Sequence, residues 1–545
     1  MSNPVDIRLD HLEIVQDILR EHLPVEFKVW VFGSRANWTT KDSSDLDLAV
    51  EGAARLDHKA MVRLEIAFEE SALPYTVDVV DLNAVSKEFK KVVEGQRIPL
   101  IPPSAPGKVE GAWPKIALGD VVTLQLSSVD KKSIPGERSV QLCNYMDVYA
   151  NSFIHRDMDF MAATATEKEI LNCSLVMGDV IITKDSEKHD DIGIPALVRE
   201  DIPDLVCGYH LTILRPNSSV VDGAYLFYAL SAGYAQRQFH SYANGITRFG
   251  LRKADIGLVE IPLPPLSEQR SIAHILGALD DKIELNRRTN ETLEAMTRAV
   301  FQDWFVDFGP VRAKLEGREP YLPPELWGLF PDCLVDSELG EIPEGWEVKA
   351  LGDAVEIMSG GTPKTSAPDY WDGGIPWYTA KDAPSLSDIF VLTTERSITQ
   401  AGVDNSSTKI LPAGTTIISA RGTVGRLACL GIPMAMNQTC YGIRGAEGYP
   451  DFFTYWNVRN TVNELKTRTH GTIFDTITRE TFKISETVLA PTDVAQAFES
   501  VITPVMDRIS GNLTESRALA AQRDALLPKV VSGEIRVGLT ESEVL

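Results

Sequence analysis

Two stretches of this chain carry the same long series of alternating four- and three-residue steps. In the first they fall on Ile272, Leu276, Leu279, Ile283, Asn286, Asn290, Leu293, Thr297 and Val300. In the second they fall on Phe498, Ile502, Val505, Ile509, Asn512, Ser516, Leu519, Arg523 and Leu526, at a constant offset of 226. A period of 3.5 sustained over that length predicts a coiled-coil seam rather than a merely amphipathic helix. Two such helices in one chain can bury their seams on each other. Asn286 and Asn512 occupy equivalent seam positions, and amides buried there would fix register at some cost in stability. A helix from Ile272 to Val300 rises about 43 Å at ~1.5 Å per residue. Such a rod is a spacer, and it holds apart whatever lies at its ends.

The duplication reaches beyond the helices. WPKIALGDVV at 113–122 returns as WEVKALGDAV at 346–355, and NGITRFGLRKADIGLVEIPLPP from Asn244 returns as HGTIFDTITRETFKISETVLAP from His470. Repeats of this length are two large copies of one domain, not a solenoid. Between the copies, 309–345 is rich in Pro and Gly and lacks periodicity, yet Trp327, Leu329 and Phe330 predict an ordered linker.

At 545 residues, 44% hydrophobic and 24% charged, the chain is neither disordered nor built on one core. No uncharged apolar window is long enough to cross a membrane, so no membrane partner is expected. The first residues lack the order of a secretory signal. Six cysteines stand without a C-x-x-C pair, which predicts a reduced, cytoplasmic protein without structural zinc. A formal charge of −24 argues against a nonspecific nucleic-acid coat but not against local basic clefts. No P-loop, H-E-x-x-H, G-x-S-x-G or EF-hand string occurs, nor the N-P-P-[YF] of an amino-methyltransferase. From residue 113 onward the chain reads as a binding protein.

LPPLSEQRSIAHILGALDDKIELNRRTNETLEAMTRAV from Leu263, SARGTVGRLACLG at 419–431 and LLPKVVSGEIRV at 526–537 carry a family likeness. Over about 113–537 the chain resembles the specificity subunits of type I restriction-modification systems. The resemblance implies target-recognition domains at 113–265 and 346–490, each reading half of a bipartite site in double-stranded DNA. It implies spacer helices at 266–308 and, with a C-terminal tail, 491–537, running antiparallel and joined through the 309–345 linker. Its implied partners are two methyltransferase (modification) subunits and restriction translocase subunits. S-adenosylmethionine and ATP would be bound by those partners, with no cofactor in the recognition domains. A scaffold that gathers enzymes without reading bases is another reading of the same features.

An acidic protein that binds DNA needs locally basic surface. The first repeat has 14 Lys+Arg against 19 Asp+Glu and the second 13 against 15, so binding must rest on clustering. Arg237, Arg248, Arg252 and Lys253, interleaved with Phe239, Tyr242 and Phe249, are the candidates in the first. Lys466 and Arg468 are candidates in the second, with Arg421 and Arg426 flanking a G-T-V-G turn. Arginine pairs bidentately with guanine or anchors phosphates. Solvated surface charge is the ordinary alternative for any one of them.

A Pro-rich linker at 98–112, IPLIPPSAPGKVEGA, sets off residues 1–97. There a strand ending at Phe32 runs into Gly33-Ser34, and ten residues later comes Asp45-x-Asp47. Side chains two apart on a strand share a face, and paired carboxylates suit Mg2+. A Gly-Ser turn opening a helix offers N–H groups to phosphates. A later strand supplies Asp78 as a third acid, with Asp81 as the alternative. G-S-x(10)-D-x-D resembles the minimal nucleotidyltransferases of the DNA polymerase beta superfamily. That likeness implies Gly33 and Ser34 at the triphosphate of an NTP, Asp45 and Asp47 at the metal, and Asp78 activating an acceptor hydroxyl. A retained fold without activity is the other reading. The fold class expected is α+β and multidomain: an α/β nucleotidyltransferase-like domain, then two mixed α/β recognition domains separated by two long antiparallel coiled-coil helices. The function expected is DNA sequence specificity within a type I complex; the alternative is an NTP-dependent nucleotidyltransferase that the repeats target.

Overall fold

The computed structural model describes residues 7–537 except 8, 25–26, 37–44, 53–54, 70, 72, 74, 95–96, 101–112, 131, 385–387, 423 and 469–475. The chain divides into two units after Trp113. The first contains α1 (Leu9–His22), β1 (Lys28–Phe32), β2 (Leu46–Glu51), α2 (His58–Glu69), β3 (Val77–Asp81), α3 (Lys87–Glu94) and β4 (Ile98–Leu100). The sheet runs β3-β2-β1-β4, with β2 and β3 parallel and β1 antiparallel to both neighbours. Alternation along β2 sends Leu46, Leu48 and Val50 into a core with Val15 and Leu19 of α1 and Leu64 of α2, which leaves Asp47 on the other face. The Pro-rich linker expected at 98–112 begins too early. Ile98–Leu100 pairs with Val29–Val31 as an edge strand, a place where a proline is tolerated; residues 101–112 lie outside those described.

In the second unit the duplication is plain in the sheets. The first copy orders its five strands Val122–Leu126, Leu211–Pro216, Val180–Thr183, Pro195–Val198, Phe153–Ile154. The second orders them Val355–Ser359, Cys440–Gly445, Thr416–Ser419, Leu427–Leu430, Phe390–Val391. In both, the last pair is parallel and the others antiparallel. The central strands, VIIT and TIIS, are buried at every residue, as continuous β-branched runs demand. A two-stranded ladder then joins the start of each copy to its end, Lys115–Ala117 with Glu260–Pro262 and Glu347–Ala350 with Glu486–Leu489. Each ladder delivers the chain into a spacer helix.

The spacer helices span Leu266–Phe305 and Thr492–Ser532. They run antiparallel: Asp280 meets Arg523, Asn286 meets Asn512, and Phe301 meets Phe498. Every position of the two expected seams is buried or half-buried. The middle of the seam is amide. Asn286 Nδ2 donates to the Asn512 carbonyl, to Glu515 Oε2 and to Ser516 Oγ, while Asn512 Nδ2 donates to Asn290 Oδ1 at 2.8 Å. Asn286 and Asn512 are equivalent in the duplication, so their meeting puts a local twofold at the centre of the rod. The first helix stops short of the expected 308 because Phe308 turns left-handed, with φ 53°, before the helix Gly309–Leu315. The 309–345 stretch is ordered, with Phe330 edge-on to Trp304 at 5.2 Å and a hairpin pairing Leu334–Ser337 with Gly340–Pro343.

Each repeat's core takes in one end of both helices. Ile272, Leu276, Val530 and Val531 belong to the first core; Phe301, Trp304, Phe498 and Ile502 belong to the second. Two buried acids stand on either side of the middle. Asp280 accepts from Tyr228 of the first repeat and from Arg523, each at 2.6 Å. Glu294 pairs with Arg298 at 2.6 Å and with Arg459 of the second repeat at 2.9 Å. Burial, and then Asp280, push the Tyr228 hydroxyl far above its ordinary range, so it stays a donor. Both repeats are thus clamped to the rod through packing and through a buried acid, the first by the Tyr228 hydroxyl on Asp280 and the second by the Arg459–Glu294 ion pair.

Candidate nucleotide site and candidate DNA interface

In the first unit β1 ends in a turn at Gly33. Gly33 has φ 72°, and a Cβ there would fall on Asp47 Oδ2, so only glycine lets the turn approach that carboxylate. Asp47 sits opposite Phe32 on β1 and beside Asp78 on β3, and Asp45 precedes it by two residues. Burial first, then Asp78 and Asp45, push the Asp47 carboxyl up from its ordinary value. Asp81, the alternative third acid, is buried and accepts N–H bonds from Leu56 and Asn83, both at 2.8 Å. It holds the strand end, while Asp78 shares the face of Asp47. A cleft of about 900 Å³ opens over this face, lined by Phe32, Asp47, Glu65, Glu69, Asp78 and Phe89 among others. Arg35, next to Ser34, is buried with its guanidinium 3.8 Å over the Tyr75 ring.

Among the described residues no three carboxylate, imidazole or thiol side chains are gathered closely enough to hold a metal ion. In chemistry the donors do fit a hard divalent cation. All are oxygens, and a cation would offset the burial and the acid–acid repulsion that raise Asp47. Sequence reasoning passed over Arg35, Glu65 and Glu69. Arg35 follows the Gly-Ser turn directly, whereas the two glutamates carried no signal beyond their i,i+4 spacing on α2.

In the second unit the basic candidates scatter. Arg237 lies exposed on the helix Gly233–Tyr242, and Lys253 is exposed at the start of Lys253–Leu258. Arg252 closes on Asp255 at 2.7 Å. Arg248 sits at the tip of a hairpin whose strands are Asn244–Gly245 and Phe249–Gly250. Phe239 is fully buried and packs the core. In the second repeat, Gly422 and Gly425 take φ 81° and 78°, turning the chain between Thr416–Ser419 and Leu427–Leu430. Arg426 and Lys466 brace that turn. Arg426 Nη2 donates to the Ala383 and Pro384 carbonyls, and Lys466 Nζ to that of Gly425. Arg421 is exposed at its tip, and the side chain of Arg468 lies outside those described.

Two copies of one sheet domain, fused to opposite ends of an antiparallel rod, are the build of a protein that engages two separated stretches of its partner. A family model described as the type I restriction modification DNA specificity domain matches residues 111–295 and again 343–495. A polymerase beta nucleotidyltransferase model matches 13–103. The specificity subunit of the type I restriction enzyme HindI of Haemophilus influenzae is 26% identical over 78% of this chain and 99% of its own length. A protein named "probable protein adenylyltransferase MntA", from the same organism, is 42% identical over 16% of this chain and 77% of its own. A crystal structure of a type I S subunit from M. genitalium superposes with a TM-score of 0.47 at 14% identity, covering 78% of this chain and 97% of that one. The chain belongs to the type I restriction-modification DNA specificity family and carries a polymerase beta-type nucleotidyltransferase domain at its head. DNA and restriction-modification subunits are the partners of this class, and no described helix is long and apolar enough to cross a membrane.

Proposed function

We propose that residues 113–265 and 346–490 each read one half of a bipartite, asymmetric DNA site. Two modification subunits dock about the local twofold of the spacer, and restriction translocase subunits join for cleavage. The observation that carries this reading is the meeting of the equivalent residues Asn286 and Asn512 at mid-seam, which sends the two repeats to opposite ends. S-adenosylmethionine and ATP belong to the partner subunits. The purified chain is expected neither to methylate nor to cleave DNA until a modification subunit is added. Methylation by the chain alone would sink the reading.

A second activity is favoured by the acid face of the first unit. Gly33 and Ser34 would hold the triphosphate of an NTP, and Asp45 and Asp47 would hold Mg2+. Bound there, the cation would supply charge stabilisation for nucleotidyl transfer. Asp78 would take the proton from the acceptor hydroxyl. Labelled ATP should then modify an acceptor with Mg2+ present, and not with Asp45→Ala plus Asp47→Ala.

The Asp47 shift gives a test that needs no acceptor. A raised folded-state value means that this fold favours the protonated acid, a contribution lost as pH rises through that value. At neutral pH Asp47→Asn is therefore expected to leave the melting temperature of the first unit equal or higher while abolishing transfer. Mg2+ should raise the melting temperature of the wild type and not that of the variant. A variant that melts lower at neutral pH would place Asp47 among the stabilising groups and remove this argument.

A further inference from the structure

The hairpin of the first repeat ends in Ile246-Thr247-Arg248. Ile246 is 94% exposed, more than any other large apolar side chain among the described residues. One exposed isoleucine would mean little, but the stem beneath it is firmly anchored. Phe249–Gly250 pairs with Asp185–Ser186, Phe249 lies edge-on to His189 at 5.3 Å, and the N–H of buried Leu251 donates to the Lys184 carbonyl. The tip residues Ile246, Thr247 and Arg248 are all exposed.

Arg248 differs from several other arginines of the repeat. Arg138, Arg215 and Arg252 each close on a carboxylate. Arg248 meets, among the described residues, only the His210 ring, with Nδ1 at 3.1 Å, and that same Nδ1 is 2.9 Å from Asp185 Oδ2. A neutral imidazole nitrogen accepts from an arginine or donates to a carboxylate, but not both at once. The hold on Arg248 is therefore contested and readily exchanged. Tyr209, 52% exposed, stands edge-on to His210 and under the Lys184 ammonium, which extends the face. The adjoining loop carries Glu187, Asp190 and Asp191 as well as Lys188. That mixture does not suit indiscriminate phosphate binding; it suits a reader that settles where its arginine finds a base edge.

We propose that Ile246 and Arg248 are specificity-determining residues that enter the major groove of one half-site, Arg248 pairing with a guanine edge and Ile246 packing on a thymine methyl. His210 is the positioning residue that holds Arg248 beforehand. The proposal rests on the reading of 113–265 as a DNA-recognition domain. The second repeat shares the anchoring bond at the foot of the hairpin, where the N–H of Ile477 donates to the Ala420 carbonyl as that of Leu251 does to Lys184; the residues matching the hairpin from 469 to 475 lie outside those described.

The test is selection of duplexes from a random pool by the full chain assembled with its modification subunits. Arg248→Ala is expected to bind the wild-type motif about tenfold or more weakly and to relax one guanine in one half-site. Ile246→Ser should relax a position in that same half. The other half stays intact in both variants. Both side chains are exposed, so unchanged melting temperatures should accompany these effects. Unchanged motifs and affinities in both variants would overturn the proposal. So would failure of either variant to assemble with modification subunits while the motif persists, because the tip would then be a protein contact. A wild-type complex with no preferred motif would overturn the underlying reading of the domain, and this proposal with it.

Discussion

Arg523→Ala is expected to destabilise the second unit by about 3–5 kcal/mol. The reason is what it leaves behind. Asp280 is only 4% exposed at its side chain, and its two oxygens are used by Arg523 and Tyr228. Without the guanidinium a buried carboxylate remains beside the seam with one neutral donor. Arg523 itself is 28% exposed, so water can enter the vacated space and the effect should fall toward the lower end. Adding Asp280→Asn should recover most of the loss, since a neutral amide still accepts from Tyr228 and leaves no charge behind. Calorimetry on the full chain reads both variants. Equal losses in the single and double variants would mean that the arginine stem's packing, not the buried charge, carries the effect. The exposed pair Arg287–Glu284 on the same helix is the contrast: Arg287→Ala should cost within about 1 kcal/mol.

The seam was legible because burial on a rod leaves a periodic trace. Each of the eighteen expected positions, named by the four-three steps, is at least half-buried, and the matched pair Asn286 and Asn512 pointed to the middle. What the steps could not give was the axial stagger. Asn512 therefore bonds the side chain of Asn290, one four-residue step along, while Asn286 reaches the Asn512 carbonyl. Asp280 and Glu294 were invisible for a related reason. They flank the seam, where acids are normally solvated, and are buried here because Tyr228 and Arg459 arrive from the repeats. Such contacts between segments distant in sequence leave no local pattern. The acid face was legible because alternation along an extended segment puts Asp45 and Asp47 on one side. Parallel pairing of β2 with β3 sets Asp78 beside Asp47 and leaves Asp81 at the strand end. The basic candidates were the least legible: Arg252, Arg426 and Lys466 serve their own turns, which composition does not reveal.

Because the core of each repeat includes both helix ends, lengthening the rod should move one repeat relative to the other as a rigid body. The inserted heptads must face each other to keep the amides paired. Lys282 pairs with Glu515 and Asn286 with the Asn512 carbonyl, so insertion after Ile283 is opposite insertion after Thr514. One heptad adds about 10 Å at ~1.5 Å per residue, or roughly 3 base pairs. The seam keeps its phase, but 3 base pairs turn the duplex by roughly a third of a turn, since ~10–10.5 pairs complete one. The displaced repeat then faces backbone, and affinity for every bipartite site should fall toward that of a half-site. Three facing heptads add about 32 Å, or roughly 9 base pairs, nearly a full turn. A left-handed supercoil of ~150 Å pitch turns that length by roughly 75°, in the same sense as the roughly 50° by which 9 pairs fall short of a turn. Bipartite binding is therefore expected to return, on sites with unchanged halves and a spacer longer by about 9 or 10 base pairs. Site selection with the one-heptad and three-heptad proteins measures both outcomes. If the three-heptad protein folds and still prefers the original spacing, the recognition domains are not held by the rod, and the two-ended architecture cannot be what sets the site.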